Sequence, residues 1–151
     1  MPPDEVVNTA PRRGRRWLGL LVLALFVLGV IGIKYMMRDD PATLISGAEL
    51  EALMASESPP LILDVRTLPE YESGHIPGAY YLDYRLIGNR IPALREVAPQ
   101  DIVLYCETGV RSRIAKHQLI RAGLPNVYHL EGDIRRWRRE DRPLIKGENP
   151  R

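Results

Sequence analysis

The feature that most constrains this chain is an uninterrupted apolar run near its amino terminus. From Trp17 to Ile33 there are 17 consecutive residues without a charged side chain, which as an α-helix would extend about 26 Å at roughly 1.5 Å per residue. A helix of a soluble core would normally show a polar face, and this run shows none. Because the next residues lengthen the run to about the 30 Å of a bilayer's hydrocarbon core, it predicts one transmembrane helix over residues 17–37.

Charged residues divide the chain into a basic head and a nearly neutral body. Residues 1–38 contain 6 Lys and Arg against 2 Asp and Glu, and subtraction from the totals of 21 and 19 leaves 15 against 17 for residues 39–151. Four arginines precede the apolar run, whereas only Lys34 and Arg38 follow it. The positive-inside tendency therefore predicts a cytoplasmic N-terminus and a body on the outer, periplasmic side of the membrane.

A cleaved export signal is the alternative interpretation of this head. Such signals have a shorter apolar region followed by small residues, whereas bulky and charged residues follow Ile33. We therefore expect a retained anchor. A disordered basic tail over residues 1–16 is expected to precede it, and a linker over residues 38–42 to follow it.

The remaining sequence alternates short apolar runs with segments of helical periodicity. This alternation predicts an α/β domain over residues 43–145, in which a parallel sheet is covered by helices on both faces, and a C-terminal tail over residues 146–151. The predicted strands are residues 61–65, 79–82, 101–105 and 126–130. The predicted helices are residues 47–56, 86–94, 112–122 and 134–140, and residues 68–74 are predicted to form a turn or a short helix.

The single cysteine, Cys106, directly follows the predicted strand over residues 101–105. One cysteine excludes an internal disulfide and a CxxC pair. Cys106 would lie at the carboxyl edge of the parallel sheet, where such folds bind ligands. The amide groups of a tight loop and the start of a helix would stabilise an anion there and lower the pKa of a thiol. An inert, buried cysteine is the alternative.

The residues after Cys106 are suited to such a loop. Gly109 permits tight curvature, Arg111 adds a fixed cation, and Ser112 is expected to cap the following helix. We therefore expect Cys106 to be the nucleophile and the loop to hold its substrate. The predicted loop residues are Glu107, Thr108, Gly109, Val110, Arg111 and Ser112.

Several short segments follow one another in order along the body, which are Asp64-Val65-Arg66, Glu70-Tyr71, Gly74-His75-Ile76-Pro77-Gly78-Ala79, Tyr105-Cys106 through Arg111-Ser112, and Leu130-Glu131-Gly132 with Trp137. In these segments the body, from about Thr43 to Leu144, resembles the rhodanese family of sulfurtransferases. One departure is Asp133, where the family usually has a second glycine after Gly132.

The resemblance implies a rhodanese-like three-layer domain and a two-step sulfur transfer. Cys106 would take a sulfane sulfur from a small-molecule or thiol-borne donor as a persulfide and pass it to a thiol or cyanide acceptor. The family needs no metal and no organic cofactor. Because only 7% of the residues are aromatic and the body is nearly neutral, nucleic-acid binding is not indicated. With the apolar head, the expected protein is a membrane-anchored, single-pass sulfurtransferase.

Two other functions are weighed against this one. Phosphatases of the Cys-x5-Arg type also hold a thiolate in an anion loop, but here Arg111 is five positions after Cys106, which gives Cys-x4-Arg. A non-catalytic rhodanese-type docking module at the membrane is the alternative from a different class. The presence of Cys106, Gly109 and Arg111 together favours the enzyme.

Three further residues are expected to support the loop or to set its specificity, and a fourth, His75, is expected to be structural. Asp64 and Arg66 end the first predicted strand and are expected to support the loop or to pair with each other. His75 is expected to fix its own turn through backbone hydrogen bonds, rather than to act as a base for the cysteine. Glu107 is expected to face the pocket mouth and to disfavour a dianion such as thiosulfate. The histidines outside that turn, including His129, are expected to be structural.

Overall fold

The structure is a computed structural model that describes residues 13–36, 40, 43–97, 101–124 and 126–147. The chain forms two compact units, Met1–Arg38 and Asp39–Arg151. The described part of the first unit is one helix, α1 (Arg13–Met36), whose side chains from Trp17 to Ile33 are exposed.

The predicted transmembrane helix over residues 17–37 is wrong. Among the described residues, no helix is both long enough and apolar enough to cross a bilayer. The predicted localisation, a single-pass membrane protein with a cytoplasmic N-terminus and a body on the periplasmic side, is therefore also wrong. A lipid bilayer as a partner is not supported.

Other predictions for the chain ends are tested only in part. The disordered tail predicted over residues 1–16 is wrong for residues 13–16, which form the first turn of α1. Residues 1–12 lie outside the described residues, as does the predicted linker apart from residue 40. Residues 148–151 of the predicted C-terminal tail also lie outside them.

The second unit contains a five-stranded sheet in the order β1-β5-β4-β2-β3. All of its strand pairs are parallel, which confirms the predicted α/β class with a parallel sheet. The strands are β1 (Leu44–Ile45), β2 (Leu61–Asp64), β3 (Tyr80–Tyr81), β4 (Ile102–Tyr105) and β5 (Val127–Leu130). The helices are α2 (Gly47–Met54), α3 (Leu68–Ser73), α4 (Ile87–Val97), α5 (Val110–Arg121) and α6 (Asp133–Arg139).

Alternate side chains of the strands point into two separate core layers, as the pleat of a strand requires. Val103 and Tyr105 of β4 belong to a cluster that includes Trp137 of α6. Leu104 and Cys106 belong to the opposite cluster, which includes Leu119 of α5. Helices therefore cover both faces of the sheet, as predicted for a three-layer domain.

The strand order reverses at the centre of the sheet, between β2 and β4. The chain leaves β2 to form β3 on one side, whereas β4 pairs with β2 on the other. Asp64 at the end of β2 lies opposite Tyr105 at the end of β4. A crevice forms outside the carboxyl ends of strands at such a reversal, so the residues after Asp64 and after Tyr105 meet at one site.

The packing of α5 against the sheet predicts that substitutions at two neighbouring residues change the free energy of unfolding by different amounts. Leu119 is fully buried, whereas the side chain of Ile120 is 45% exposed. We expect Leu119→Ala to lower the free energy of unfolding by about 2–5 kcal/mol, because it leaves a cavity, and Ile120→Ala to change it by less than about 0.5 kcal/mol. Urea denaturation followed by circular dichroism measures both. Equal losses in the two variants would contradict this packing.

Candidate active site

Cys106 lies at the carboxyl end of β4 with its side chain inside the protein. The residue is 1% exposed, and the chain turns over it so that the amide of Gly109 donates a hydrogen bond to Sγ at 3.1 Å. Gly109 has a φ of 94°, in the left-handed region that favours glycine. The predicted tight loop is therefore present, and at least one of its amides points at the sulfur.

The loop passes into α5 two residues earlier than predicted. We expected Ser112 to cap a helix over residues 112–122, but α5 begins at Val110 with Gly109 at the N-cap. The left-handed turn at Gly109 allows this earlier start. Ser112 is instead buried inside the helix, and its hydroxyl donates to Oδ1 of Asp133 at 2.9 Å.

Arg111 points back toward the cysteine and is held by Glu70. Two guanidinium nitrogens of Arg111 each lie 2.7 Å from a different carboxylate oxygen of Glu70. The hydrogen bonds and the charge of Glu70 raise the pKa of Arg111, although burial opposes the shift. A bidentate pair of this kind fixes the guanidinium plane, so the predicted cation of the loop is present and oriented.

Sequence analysis did not identify Glu70 as a functional residue. Its carboxylate also accepts the amide of Thr67 at 2.9 Å, which closes a capping box at the start of α3. The hydrogen bonds from Arg111 lower the pKa of Glu70 to about 2, against the effect of burial and with help from Thr67. The signal that could have found it was the Thr-x-x-Glu pattern, which predicts a carboxylate fixed at a helix start.

Asp64 and Arg66 form an ion pair with no exposed side-chain surface. Nε of Arg66 lies 2.9 and 3.0 Å from the two carboxylate oxygens of Asp64, and Nη2 donates to the carbonyl of Gly74 at 2.8 Å. Nη1 of Arg66 lies 3.7 Å from the carboxylate of Glu107. The two residues therefore pair with each other, and the pair approaches the first residue of the cysteine loop; that it supports the loop in function stays a prediction.

Glu107 directly follows Cys106, and its carboxylate forms ion pairs with two arginines. One nitrogen of Arg138 lies 2.9 and 3.0 Å from the two oxygens of Glu107. This contact and the approach of Arg66 offset the negative charge beside the cysteine. That Glu107 disfavours thiosulfate stays a prediction. The other two loop residues, Thr108 and Val110, are exposed.

His75 fixes its own turn, as predicted. Nδ1 lies 3.0 Å from the carbonyl oxygen of Tyr71, and the two rings stack with centroids 3.7 Å apart. The backbone of His75 also exchanges hydrogen bonds of 2.9 and 3.0 Å with Ile145. These contacts account for the imidazole without any role as a base for Cys106.

A second residue that sequence analysis did not place in the site is Asp133. The residue is 2% exposed, and its Oδ1 accepts the amide of Cys106 at 2.7 Å. It had been noted only as a departure from the family pattern after Gly132. The contact joins residues 27 positions apart, so no local pattern could have revealed it.

Comparison with known proteins agrees with this geometry. The family model described as "Rhodanese-like domain" matches residues 46–140. A sulfurtransferase of Allochromatium vinosum is 33% identical over 104 residues, which are 69% of this chain and 95% of that protein. The chain belongs to the rhodanese-like domain family.

Two further relatives carry other descriptions. A tRNA uridine(34) hydroxylase of Erwinia tasmaniensis is 31% identical over 120 residues, and the chain spans about a third (34%) of its length. A solved protein of Rhodopseudomonas palustris, described as of unknown function and a possible tyrosine phosphatase, is 28% identical with a TM-score of 0.60. That match covers 68% of this chain and 83% of that one. Family membership and the sulfurtransferase relative together support a sulfurtransferase-type activity.

Two Asp-x-Arg pairs with the same local geometry offer a matched test of burial. In both, Nη2 of the arginine lies 2.5 Å from Oδ2 of the aspartate, but the Arg66 side chain is 0% exposed and the Arg85 side chain is 65% exposed. We expect Arg66→Met to lower the free energy of unfolding by about 3–5 kcal/mol, because it leaves Asp64 charged and buried. Arg85→Met should lower it by less. The Asp83 side chain is also only 4% exposed, but its partner Arg85 lies at the surface, so the substitution opens that carboxylate to water, whereas the site of Arg66 is closed to water. Denaturation by urea measures both, and similar losses would contradict the assigned role of burial.

The Glu70–Arg111 pair predicts a pH-dependent contribution to stability. Unfolding returns the pKa of Glu70 from about 2 toward about 4.5, so the contribution is complete above about pH 5 and is lost as the pH falls toward 2. The difference in unfolding free energy between wild type and Glu70→Gln should therefore shrink over that range. The exposed Glu72→Gln in the same helix is the control. A difference that grew on acidification would overturn the assignment.

Proposed function

We propose that this protein is a sulfurtransferase that carries a sulfane sulfur as a persulfide on Cys106 and passes it to a thiol or cyanide acceptor. The observation that supports the proposal most directly is the hydrogen bond of 3.1 Å from the Gly109 amide to the Cys106 sulfur. A thiolate and a persulfide are both anions, so an amide fixed at the sulfur stabilises the reactive state and the intermediate. Arg111, oriented by Glu70, adds a positive charge on the same side.

In the first step the Cys106 thiolate attacks the sulfane sulfur of the donor. A bond forms between Sγ and that sulfur while the donor's own bond to it breaks. The electron pair of the broken bond leaves with the rest of the donor, as sulfite from thiosulfate or as a thiolate from a thiol persulfide. The product on the enzyme is a persulfide anion, which the loop amide and Arg111 stabilise.

In the second step the acceptor attacks the outer sulfur of the persulfide. A thiolate acceptor forms a new S–S bond and cyanide forms a new C–S bond, while the bond to Sγ breaks. The electron pair returns to Sγ, which becomes a thiolate again. No net oxidation occurs over the cycle. Cys106 is the chain's single cysteine, so the acceptor must come from outside the chain.

Phosphoryl transfer is less compatible with this loop. A phosphatase arginine binds phosphate oxygens with two guanidinium N–H groups, whereas two nitrogens of Arg111 are already bound to Glu70. The spacing from Cys106 is also one residue short of Cys-x5-Arg. The structure of this loop therefore favours sulfur over phosphate as the transferred group.

The proposal predicts a covalent sulfur adduct on one residue. The full-length protein, incubated with thiosulfate or with glutathione persulfide, should gain the mass of one sulfur atom and lose it on addition of cyanide or a thiol. The Cys106→Ser variant should gain nothing. Intact-protein mass spectrometry measures both. If neither thiosulfate nor glutathione persulfide gives an adduct, the result would contradict the transfer of sulfur and favour the non-catalytic docking module.

A further inference from the structure

The carboxylate of Asp133 joins the two ends of the cysteine loop. Its Oδ1 accepts the amide hydrogen of Cys106, where the loop begins, at 2.7 Å and the hydroxyl of Ser112, where the loop has passed into α5, at 2.9 Å. The next residue, Ile134, donates its amide to the carbonyl of Cys106 at 3.2 Å. Residues 133 and 134 therefore hold the cysteine backbone from both its donor and its acceptor side.

The Asp133 carboxylate is charged, buried and paired with His129. Nε2 of His129 lies 3.1 Å from each carboxylate oxygen, and both side chains are nearly fully buried. Burial raises the pKa of Asp133, but the hydrogen bond and charge of His129, with the donors from Cys106 and Ser112, lower it below its usual range overall. The pair therefore supplies an ionised acceptor beneath the loop without an isolated charge.

The backbone of Asp133 adopts a conformation that glycine would adopt without strain. Its φ is 55°, in the left-handed region where side chains other than those of Asn, Asp and glycine are uncommon. The contacts of the carboxylate offset this conformational cost. The family's usual glycine would fit the backbone and would make none of these contacts.

Gly109 allows the loop to approach this carboxylate closely. A Cβ placed on Gly109 would lie 2.9 Å from Oδ2 of Asp133 and 3.3 Å from Cε1 of His129. Real Cβ atoms are not tolerated so close to a buried, well-packed group. The residue whose amide binds the sulfur therefore rests directly on the Asp133–His129 pair.

We propose that Asp133 is a positioning residue for sulfur transfer, which holds Cys106 and the loop amide in the reactive geometry by bridging the two ends of the loop. The inference rests on the proposed function. Asp133 itself does not touch the donor. Its removal should therefore slow the chemical step rather than weaken donor binding, because misplacing a nucleophile by about 1 Å can cost roughly 100-fold in rate.

The test compares three variants of the full-length protein. Asp133→Gly removes the carboxylate and relieves the backbone, whereas Asp133→Asn keeps an oxygen that accepts from Cys106 and Ser112. The matched control is Asp141→Gly, because Asp141 has a φ of 51° and lies exposed after α6. Steady-state transfer from thiosulfate to cyanide gives kcat and KM, and amide hydrogen exchange at Cys106 reports the loop contact directly.

We expect Asp133→Gly to lower kcat by about 10–100-fold with little change in the KM for thiosulfate, and to speed amide exchange at Cys106. Asp133→Asn should recover most of both losses, and Asp141→Gly should behave as wild type. Wild-type kcat in a folded Asp133→Gly, or equal losses in the glycine and asparagine variants, would overturn the proposal. If the wild-type protein transfers no sulfur, the proposed function fails, and the exchange rate at Cys106 alone decides whether Asp133 holds the loop.

Discussion

The buried ion pair between Asp64 and Arg66 is the interaction on which the arrangement of the site depends. The pair fixes the carboxyl end of β2. The guanidinium of Arg66 also donates a hydrogen bond to the carbonyl of Gly74 and lies within 3.7 Å of the Glu107 carboxylate. Because neither side chain is exposed, each charge needs the other to remain in the interior. The pair therefore locks three chain segments together: the end of β2, the turn after α3 and the loop after β4.

Three arginines around the cysteine loop are each paired with a carboxylate. Arg111 is paired with Glu70, Arg66 with Asp64, and Arg138 with Glu107. Such pairing holds the guanidinium groups in place and reduces the net positive field at the pocket mouth. Under the proposed function, an anion on the Cys106 sulfur would be stabilised mainly by groups fixed near it, above all the amide of Gly109, rather than by a general excess of positive charge.

Local patterns predicted most of the fold and the position of Cys106 at the carboxyl end of a strand, because apolar runs and helix signals act over a few neighbouring residues. Strand β1 was missed because its apolar run is limited to Leu44 and Ile45, whereas the equally short β3 lies within the longer apolar run over residues 79–82. Glu70 and Asp133 were missed as site residues because their contacts with Arg111 and Cys106 span 41 and 27 positions. The transmembrane prediction relied on the apolar run and the residues that flank it. Among the described residues, no helix is long and apolar enough to cross a membrane.

The sulfur of Cys106 is also part of the hydrophobic core. Cys106 belongs to the same buried cluster as Leu104 and Leu119, and it is 1% exposed. Oxidation of the thiol to a sulfinate would place two oxygens and a permanent negative charge against these apolar side chains. Oxidation of Cys106 would then loosen the layer between the sheet and α5. Under the proposed function, the same oxidation would remove both the nucleophile and a packing contact of the core.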